Sequence, residues 1–353
     1  MAWMRRLGCS HAVQGPITVD ANMKPQFDER YIKYDWKEAV ISARGLNSRS
    51  ISLKILLYLQ FTHPETLHTV TQQSLRQFRM ELDGNFIFDG FLIEISENVA
   101  NDEFLLFLQK LRDYFSDTQV DVEVTSKTIF ESSEWLLKAS VVVDSFYINL
   151  DKGIHPKNDT LFDEYRLLDP LLPDDTIPLE DTIKGVVEQM ANISEPSRLI
   201  MSFSTITRGV IANNETNFDR GKDFLTETNS TLKVYEEPTG RFSLQEICEP
   251  ALLVPVSTDN VTVSNYFLDR NQNWFSLNAP YNKATLTKIK WLSQVGVAGL
   301  ALSEFSADDP DNECRYGRFP LHRFVSSNFD CKIPAAGRPQ ARRNLCGQFI
   351  PIL

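Results

Sequence analysis

Short apolar runs alternate with stretches of helical periodicity through the first half of this 353-residue chain. Residues 53–59 form an apolar run that favours a β-strand, and residues 91–95 form a second one. Between the two runs, four apolar side chains recur at helical spacing: Leu75, Phe78, Leu82 and Phe86. Because strand, helix and strand in this order are the unit from which parallel sheets are built, the alternation predicts an α/β fold.

The alternation continues to residue 150. Residues 101–103 open a second helix, marked by apolar side chains at helical spacing: Phe104, Leu105, Leu108, Leu111 and Phe115. Residues 120–124 then predict a strand, residues 132–137 a helix and residues 139–150 another strand. With 42% hydrophobic residues, a chain of this length can bury the core of one α/β barrel.

The composition argues against several kinds of partner. The chain has 36 basic and 47 acidic residues, a net charge of -11, and no segment carries the basic stripe typical of nucleic-acid binding. Its longest apolar runs, such as residues 135–143, are too short to span a membrane. Five histidines show no metal-ligand spacing, so neither a metal nor another cofactor is expected: His11, His63, His68, His155 and His322.

Four segments in order along the chain match the motifs of one enzyme family. Residues 89–98 read DGFLIEISEN, similar to D-G-x-D-x-D-W-E, and residues 198–208 are similar to a strand that ends P-x-Y-G-R. Residues 245–248 are similar to an E-I-C motif, and residues 291–309 to a last strand with an acidic exit loop. Together they resemble glycoside hydrolase family 18, the chitinase family. The resemblance implies a (β/α)8 TIM barrel with a small α+β insertion.

The same resemblance implies how the chain is divided. Four parts are expected: the barrel from strand two onward over residues 9–208, the insertion over 209–273, the rest of the barrel over 274–331, and a loose tail over 332–353. Within the last part of the barrel, strand eight is expected at residues 297–303 and the final helix at residues 316–329.

The family's first strand is missing at the start of the chain. Cys9-Ser10-His11 resembles the opening of strand two, and the eight residues before Cys9 cannot supply a strand, a loop and a helix. Two explanations are open. The gene model has lost a signal peptide and strand one together, or the protein is a seven-stranded barrel with unpaired edges at strands two and eight.

The catalytic strand of the family is altered here. Hydrolysis in family 18 is substrate-assisted and needs an acid on the leaving oxygen, a carboxylate that orients the acetamide, and an aromatic floor. The resemblance aligns this strand with four positions: Asp89, Leu92, Glu94 and Ser96. Ser96 replaces the acid and Leu92 replaces the first inner carboxylate, so the resemblance implies a catalytically inactive protein.

Two carboxylates remain near these positions. Because side chains alternate along a strand, Leu92, Glu94 and Ser96 are expected to point into the barrel. Glu94 is then either a residual sugar ligand or a buried carboxylate satisfied by a neighbour. Glu97 lies beside the acid position with the wrong parity to point inward unless a bulge turns it.

The aromatic floor is also replaced. Ser303 stands at the family's tryptophan, and three apolar residues stand at tyrosines: Leu150, Ile206 and Leu277. Since aromatic faces supply much of the binding of sugar rings, chitin-type binding should be weak. Asp151 and Arg208 survive, either as sugar ligands or as a structural ion pair. The expected ligand-binding positions at the barrel mouth are Glu94, Asp151, Arg208, Asn278 and Ser303.

Several features indicate export. Five Asn-x-Ser/Thr sequons occur where roughly two would be expected by chance: Asn158, Asn192, Asn214, Asn229 and Asn260. The family places a disulfide at Cys248 and Cys314, and Cys331 could pair with Cys346. No apolar signal-peptide core precedes strand two. We therefore expect a secreted glycoprotein whose signal peptide is missing from the gene model.

Three functions remain open on the sequence. The first is an inactive chitinase-like protein that binds a chitin-type or other glycan, or a protein partner. The second is weak hydrolysis of chitin-type oligosaccharides that uses Glu94 or Glu97. The third is a degenerate product without an independent function.

Overall fold

Helices form where apolar side chains line one face and a polar residue caps the start. In this computed structural model, α1 (Gln72–Asn85) follows Thr71, whose hydroxyl accepts a hydrogen bond from the N–H of Ser74. Asn101 caps α2 (Asp102–Tyr114) in the same way. Both helices bury most of the apolar positions that their spacing predicted. Leu105 of α2 is only partly buried, and Phe107, which was not predicted, is buried.

The remaining elements complete the list of bounds. The other helices are α3 (Ser133–Ala139), α4 (Leu244–Leu253), α5 (Lys283–Val295) and α6 (Pro320–Asn328). The strands are β1 (His11–Val19), β2 (Pro25–Gln26), β3 (Lys54–Phe61), β4 (Gly90–Glu94), β5 (Gln119–Thr125), β6 (Ser145–Asn149), β7 (Leu199–Phe203), β8 (Thr207–Ala212), β9 (Phe224–Glu227), β10 (Arg241–Phe242), β11 (Ser257–Asp259), β12 (Ser264–Leu268), β13 (Asn273–Leu277), β14 (Gly299–Leu302), β15 (Gln348–Phe349) and β16 (Pro351–Ile352). The structure describes residues 9–27, 53–95, 99–125, 128–129, 132–149, 185, 187–194, 198–203, 205, 207–212, 224–227, 241–253, 257–259, 264–268, 273–302, 305–329, 348–349 and 351–352.

Parallel strands form the barrel wall. The order around the wall is β1, β3, β4, β5, β6, β7 and β14, and each strand pairs in parallel with the next. Strands β3, β4 and β7 are nearly continuous apolar runs because both faces of a parallel sheet are covered. The α/β barrel predicted from the sequence is confirmed.

Two short strands near the end of the given sequence extend the sheet. β15 pairs in parallel with β14, where Leu300 lies opposite Gln348, and β16 pairs in parallel with β1, where Val13 lies opposite Pro351. β14 and β1, which the sequence places as strands eight and two, therefore both have backbone partners, so the alternative of a seven-stranded barrel with unpaired edges does not describe this sheet. Residues 348–349 and 351–352, which lie within the tail predicted at residues 332–353, therefore belong to the sheet.

Two predicted elements begin later than expected. The strand predicted at residues 139–150 begins at Ser145, because α3 extends through Ala139 and a turn follows in which Val141 is 87% exposed. The final helix predicted at residues 316–329 begins at Pro320. Phe319 has a φ of 52°, in the left-handed region, so the helix cannot extend back through it.

A second, antiparallel sheet follows β7. Its strands lie in the order β10, β8, β13, β12 and β11, with β9 paired to β8, and α4 follows β10 along the chain. The sheet reaches past both ends of the insertion predicted at residues 209–273. Arg208 pairs with Ser276, and Trp274, where the barrel was expected to resume, pairs with Val210.

The barrel strands separate two apolar layers. On the outward face, a large core packs against the helices and includes Phe91 and Ile93 of β4. On the inward face, a smaller cluster contains Val13, Leu56, Leu92, Tyr147, Ile200 and Ala301. Residues opposite each other in a parallel register point to the same face, which explains why register partners such as Tyr147 and Ile200 share this cluster.

Candidate functional site

β4 presents Leu92 and Glu94 to the barrel interior. Leu92 is buried in the inward cluster, whereas Phe91 and Ile93 face the helices, as strand alternation predicts. Glu94 ends the strand and is half-buried. Asp89 precedes the strand and accepts a hydrogen bond from the backbone N–H of Ile55 at 2.8 Å, so it joins β4 to β3.

The carboxylate of Glu94 is held by two donors from β3. Its Oε2 accepts hydrogen bonds from the hydroxyl of Tyr58 at 2.9 Å and from the side-chain amide of Gln60 at 2.5 Å. Burial, and then the negative charges of Glu123 and Glu94, raise the pKa of Tyr58, so its hydroxyl stays protonated and can donate. A sugar hydroxyl that binds this oxygen has to share it with Tyr58 and Gln60.

A second inward carboxylate lies beside Glu94. Glu123 of β5 is opposite Glu94 in the strand register, is buried, and accepts a hydrogen bond from the side-chain amide of Asn149 at 3.0 Å. On β6, Tyr147 and Asn149 therefore face the interior, while Ile148 lies in the outward core.

A polar network lies deeper in the barrel, toward the start of the strands. The side-chain amide of Gln119 donates to Asp121 Oδ2 at 2.8 Å, and Gln119 Oε1 accepts from Lys54 Nζ at 2.9 Å and lies 3.3 Å from His11 Nε2. Asp121 Oδ1 is buried and has no hydrogen-bond partner among the described residues. Burial raises the pKa of Asp121 to about 8 and lowers the pKa of His11 to about 4, so near neutral pH both groups are uncharged.

Most of these inward residues were not predicted from the sequence. The signal was present in residues 119–125, where polar and apolar residues alternate strictly. In a strand covered on both faces, such alternation indicates that one face of the strand is polar. On β5 that polar face is the barrel interior, where Asp121 and Glu123 lie.

Two predicted ligand positions lie on or next to strands of the second, antiparallel sheet. Asn278 follows β13, is buried, and accepts a hydrogen bond from Lys288 Nζ of α5 at 3.2 Å. Arg208 lies on β8, and its backbone pairs in the second sheet with β13 and β10. The side chain of Arg208 is outside the part of the chain that the structure describes.

The loop after β14 is fixed by a disulfide and by acidic side chains. The predicted disulfide between Cys248 of α4 and Cys314 is present. Asp309 accepts hydrogen bonds from the backbone N–H groups of Glu313 and Cys314. Among the described residues, the side chains of Asp309, Cys248 and Cys314 lie close enough together to bind a metal ion. Because both sulfurs are bonded to each other, neither is a thiolate that could bind a metal. We therefore interpret the disulfide and the hydrogen bonds of Asp309 as contacts that fix the loop.

Other predicted positions lie outside the described residues. They are Ser96, Glu97, Leu150, Asp151, Ile206, Ser303, Cys331 and Cys346, together with the sequons at Asn158, Asn214, Asn229 and Asn260. The sequon at Asn192 is described, and its side chain is exposed. Cys9 at the start of β1 is buried, and burial raises the pKa of its thiol to about 12.

Comparison with curated proteins supports the chitinase resemblance. No model of a known protein family matches the chain. A chitinase-like protein of Caenorhabditis elegans is 27% identical over 358 residues, which cover 96% of this chain and 31% of that protein. The chain thus spans less than a third of the length of this relative.

Comparison with solved structures supports the fold. An immunomodulatory active chitinase of Trichuris suis matches with a TM-score of 0.70 at 17% identity, over 92% of each chain. The Group IV chitinase of Ostrinia furnacalis in complex with allosamidin matches with a TM-score of 0.70 at 16% identity, over 91% of this chain and 90% of that chain. Human YKL-39, described as a pseudo-chitinase with retained chitooligosaccharide binding properties, matches with a TM-score of 0.70 at 15% identity over 91% of each chain.

These comparisons confirm two predictions from the sequence. The chain resembles chitinase-like proteins, and its fold is the TIM barrel of family 18 chitinases. Active chitinases and a pseudo-chitinase share this fold, so the fold alone does not distinguish hydrolysis from binding. Within the described residues, no helix has the length and apolar character needed to cross a membrane.

Proposed function

We propose that the chain is a chitinase-like protein that binds glycans of the chitin type and does not hydrolyse them. The observation that carries the proposal is the interior of β4. Leu92 takes the place of the first inner carboxylate and packs among apolar side chains, and Ser96 follows at the position of the acid. A serine hydroxyl does not protonate a glycosidic oxygen near neutral pH, so the leaving group would have to depart unprotonated.

The barrel mouth keeps groups that can hold a sugar. Glu94, Glu123 and Asn149 lie at the ends of neighbouring strands, at the face where barrels of this type bind ligands. Tyr58 and Tyr147 add aromatic side chains to the interior. We propose that Asp151, Arg208, Asn278 and Ser303 complete the lining. The retained binding of chitooligosaccharides described for human YKL-39 shows that a protein with this fold can bind without hydrolysis.

Binding should be weak. The carboxylates of Glu94 and Glu123 already accept hydrogen bonds from neighbouring side chains. A sugar hydroxyl that displaces one of these donors therefore adds little binding energy. The family's tryptophan and tyrosine positions have lost their aromatic faces. A dissociation constant near ~1 mM for a chitin tetramer is expected, about 4 kcal/mol weaker than micromolar binding.

The proposal also covers the export of the protein and its partners. We propose that the protein is exported and glycosylated, which the disulfide and the exposed sequon at Asn192 support. A protein partner, instead of a glycan, is an alternative for the same inactive barrel.

Hydrolysis is tested with fluorogenic chitobioside and chitotrioside. We expect no release of fluorophore above the rate of heat-denatured protein. Turnover that is lost in Glu94→Gln or Glu97→Gln would instead establish weak hydrolysis by the remaining carboxylates.

Binding is tested by titration calorimetry with chitooligosaccharides of four to six units. Saturable binding that weakens in Glu94→Gln and Asn149→Ala, and not in the exposed control Tyr281→Phe, supports a mouth site. No saturation at about tenfold above the expected dissociation constant would contradict glycan binding and leave a protein partner as the occupant.

A further inference from the structure

Two inward carboxylates lie side by side at the barrel mouth. Glu94 ends β4, and Glu123 lies opposite it on β5 in the strand register. Glu94 is half-buried, and Glu123 is 5% exposed. Because neighbouring strands are only about 4.8 Å apart, side chains opposite each other on one face of a sheet are close enough to act on the same ligand group. We call Glu94 and Glu123 the carboxylate pair.

The hydrogen-bond donors that hold the carboxylate pair are neutral groups. Tyr58 and Gln60 donate to Glu94, and Asn149 donates to Glu123. A hydroxyl or an amide fixes the position of a carboxylate and does not cancel its charge. The charge acts on Tyr58, whose pKa is raised by burial and then by the negative charges of Glu123 and Glu94. A cation that enters the mouth therefore meets two oriented negative charges.

The interior below the carboxylate pair favours a polar neighbour. Asp121 lies two residues before Glu123 on the same face of β5 and is completely buried. One of its carboxyl oxygens, Oδ1, has no hydrogen-bond partner among the described residues. Because an unpaired buried polar atom is costly, a polar ligand group or a water is favourable next to it, and a methyl group is not.

The apolar side chains of the inward face are already covered. Leu92 is 3% exposed, and Tyr147 and Ile200 are each 5% exposed. The acetamide of an N-acetyl sugar would bring a methyl group, a carbonyl acceptor and a single N–H to this interior. A free sugar amine in its protonated form brings three donors and a positive charge, as a lysine ammonium does. The carboxylate pair therefore matches an ammonium group better than it matches an acetamide.

We propose that the barrel mouth selects sugars with a free amine, held as an ammonium group by Glu94 and Glu123, over N-acetylated sugars. The inference rests on the proposed function, because it names the ligand class of the same mouth. A sugar hydroxyl gains little when it displaces a neutral donor. An ammonium adds a charge-assisted hydrogen bond, which is roughly twice as strong as a neutral one. The matching ligand class is a chitin-type oligosaccharide without its acetyl groups, an oligomer of glucosamine.

The test compares two tetramers that share one backbone, one of glucosamine and one of N-acetylglucosamine. Titration calorimetry is done at about pH 6, where a sugar amine carries its proton. We expect the glucosamine tetramer to bind one-to-one and at least about tenfold more tightly than the acetylated tetramer. Raising the salt from about 50 to about 300 mM should weaken binding of the glucosamine tetramer and leave binding of the acetylated tetramer unchanged.

A pair of variants separates the mouth from the charge of the whole chain, which is -11. Glu123→Gln keeps an acceptor for Asn149 and removes one charge, so the preference for glucosamine should fall at least about threefold. Asp117→Asn is the matched control. Asp117 is exposed and precedes β5, so it lies at the opposite end of that strand. This variant should keep the preference, and an equal loss in both variants would overturn selection by the mouth.

Further outcomes separate this inference from the proposed function. Glu94→Gln gives a second measurement of the same preference if circular dichroism shows that Glu123→Gln is unfolded. A preference that survives in every folded variant of the carboxylate pair would overturn the role of the pair. Equal or tighter binding of the acetylated tetramer would overturn selection for the amine and leave the glycan site in place. Binding of neither tetramer would contradict the proposed function itself.

Discussion

The two faces of the barrel strands differ in what they require of the sequence. On the outward face of β4, Phe91 and Ile93 are fully buried in one continuous core with the helices. On the inward face, Leu92 joins a small apolar cluster and Glu94 is held by polar neighbours. The outward face must stay apolar for the helices to pack, whereas the inward face can exchange catalytic carboxylates for other side chains. The barrel can thus persist when the chemistry in its interior has changed.

The largest expected change in stability comes from a substitution on the outward face. Phe91 contacts Phe88 and Phe115, with ring centroids 5.2 and 5.1 Å away. Phe91→Ala should lower the free energy of unfolding by about 3–5 kcal/mol, because it removes buried area and leaves a cavity. Urea denaturation followed by circular dichroism measures the change. Glu94→Gln on the inward face should cost much less, and equal costs would contradict the difference between the faces.

The outward face is also what made the fold predictable. Helices α1 and α2 were located from apolar spacing, and most of their predicted apolar residues are buried, although Leu105 is only partly buried. The strand pairs near the end of the given sequence were not predictable in this way. β15 and β16 are each two residues long, and their places are set by pairing with β14 and β1, which are far away in the sequence. Local patterns carry no information on such pairing.

The second prediction concerns a buried acid on the inward face. Its folded pKa of about 8 exceeds the ordinary 3.8, so between these values folded Asp121 keeps a proton that the unfolded chain has lost. Stability should therefore fall as the pH rises toward 8. His11, with a pKa lowered to about 4 from 6.5, has the opposite effect only below 6.5.

The window from 6.5 to 8 isolates Asp121. In this pH range the free energy of unfolding should fall by about 2 kcal/mol, because each pH unit changes it by about 1.4 kcal/mol. Asp121→Asn keeps an acceptor for Gln119 and should remove this fall. Denaturation at pH 6.5, 7.2 and 8.0 measures both proteins. Parallel curves for the two would show that Asp121 does not hold its proton in the folded state.

The candidate site was less predictable than the fold. Glu94 was placed inside correctly because strand alternation needs one strand only. Its donors Tyr58 and Gln60 lie on another strand, and their contact depends on the register between β3 and β4. Which side chains of β6 face the interior also depends on pairing. Tyr147 and Asn149 can be assigned to the interior only when the register between β5 and β6 is known.

A smaller effect is expected at these donors. Tyr58→Phe removes the hydroxyl that donates to Glu94 and leaves the ring in place. It should lower the free energy of unfolding by about 1 kcal/mol, since Gln60 still donates to the same oxygen. Tyr281→Phe, at an exposed tyrosine, is the matched control and should change stability by less than about 0.5 kcal/mol. If the two variants behave alike, the hydrogen bond of Tyr58 does not stabilise the inward face.

The smallest expected effect is on activity, and it tests whether the inward face can be repaired at one position. Ser96→Glu restores a carboxyl group at the position of the acid. Leu92 still withholds the first inner carboxylate, Glu94 is still held by Tyr58 and Gln60, and Ser303 still provides no aromatic face. Acid catalysis requires the proton, the oriented acetamide and the bound sugar together, because groups that act as a unit do not contribute additively. We therefore expect no turnover of fluorogenic chitobioside from Ser96→Glu, nor from Leu92→Asp with Ser96→Glu. Recovery of activity by the single change would show that the rest of the interior is still a chitinase site, and that only the acid separates this barrel from an enzyme.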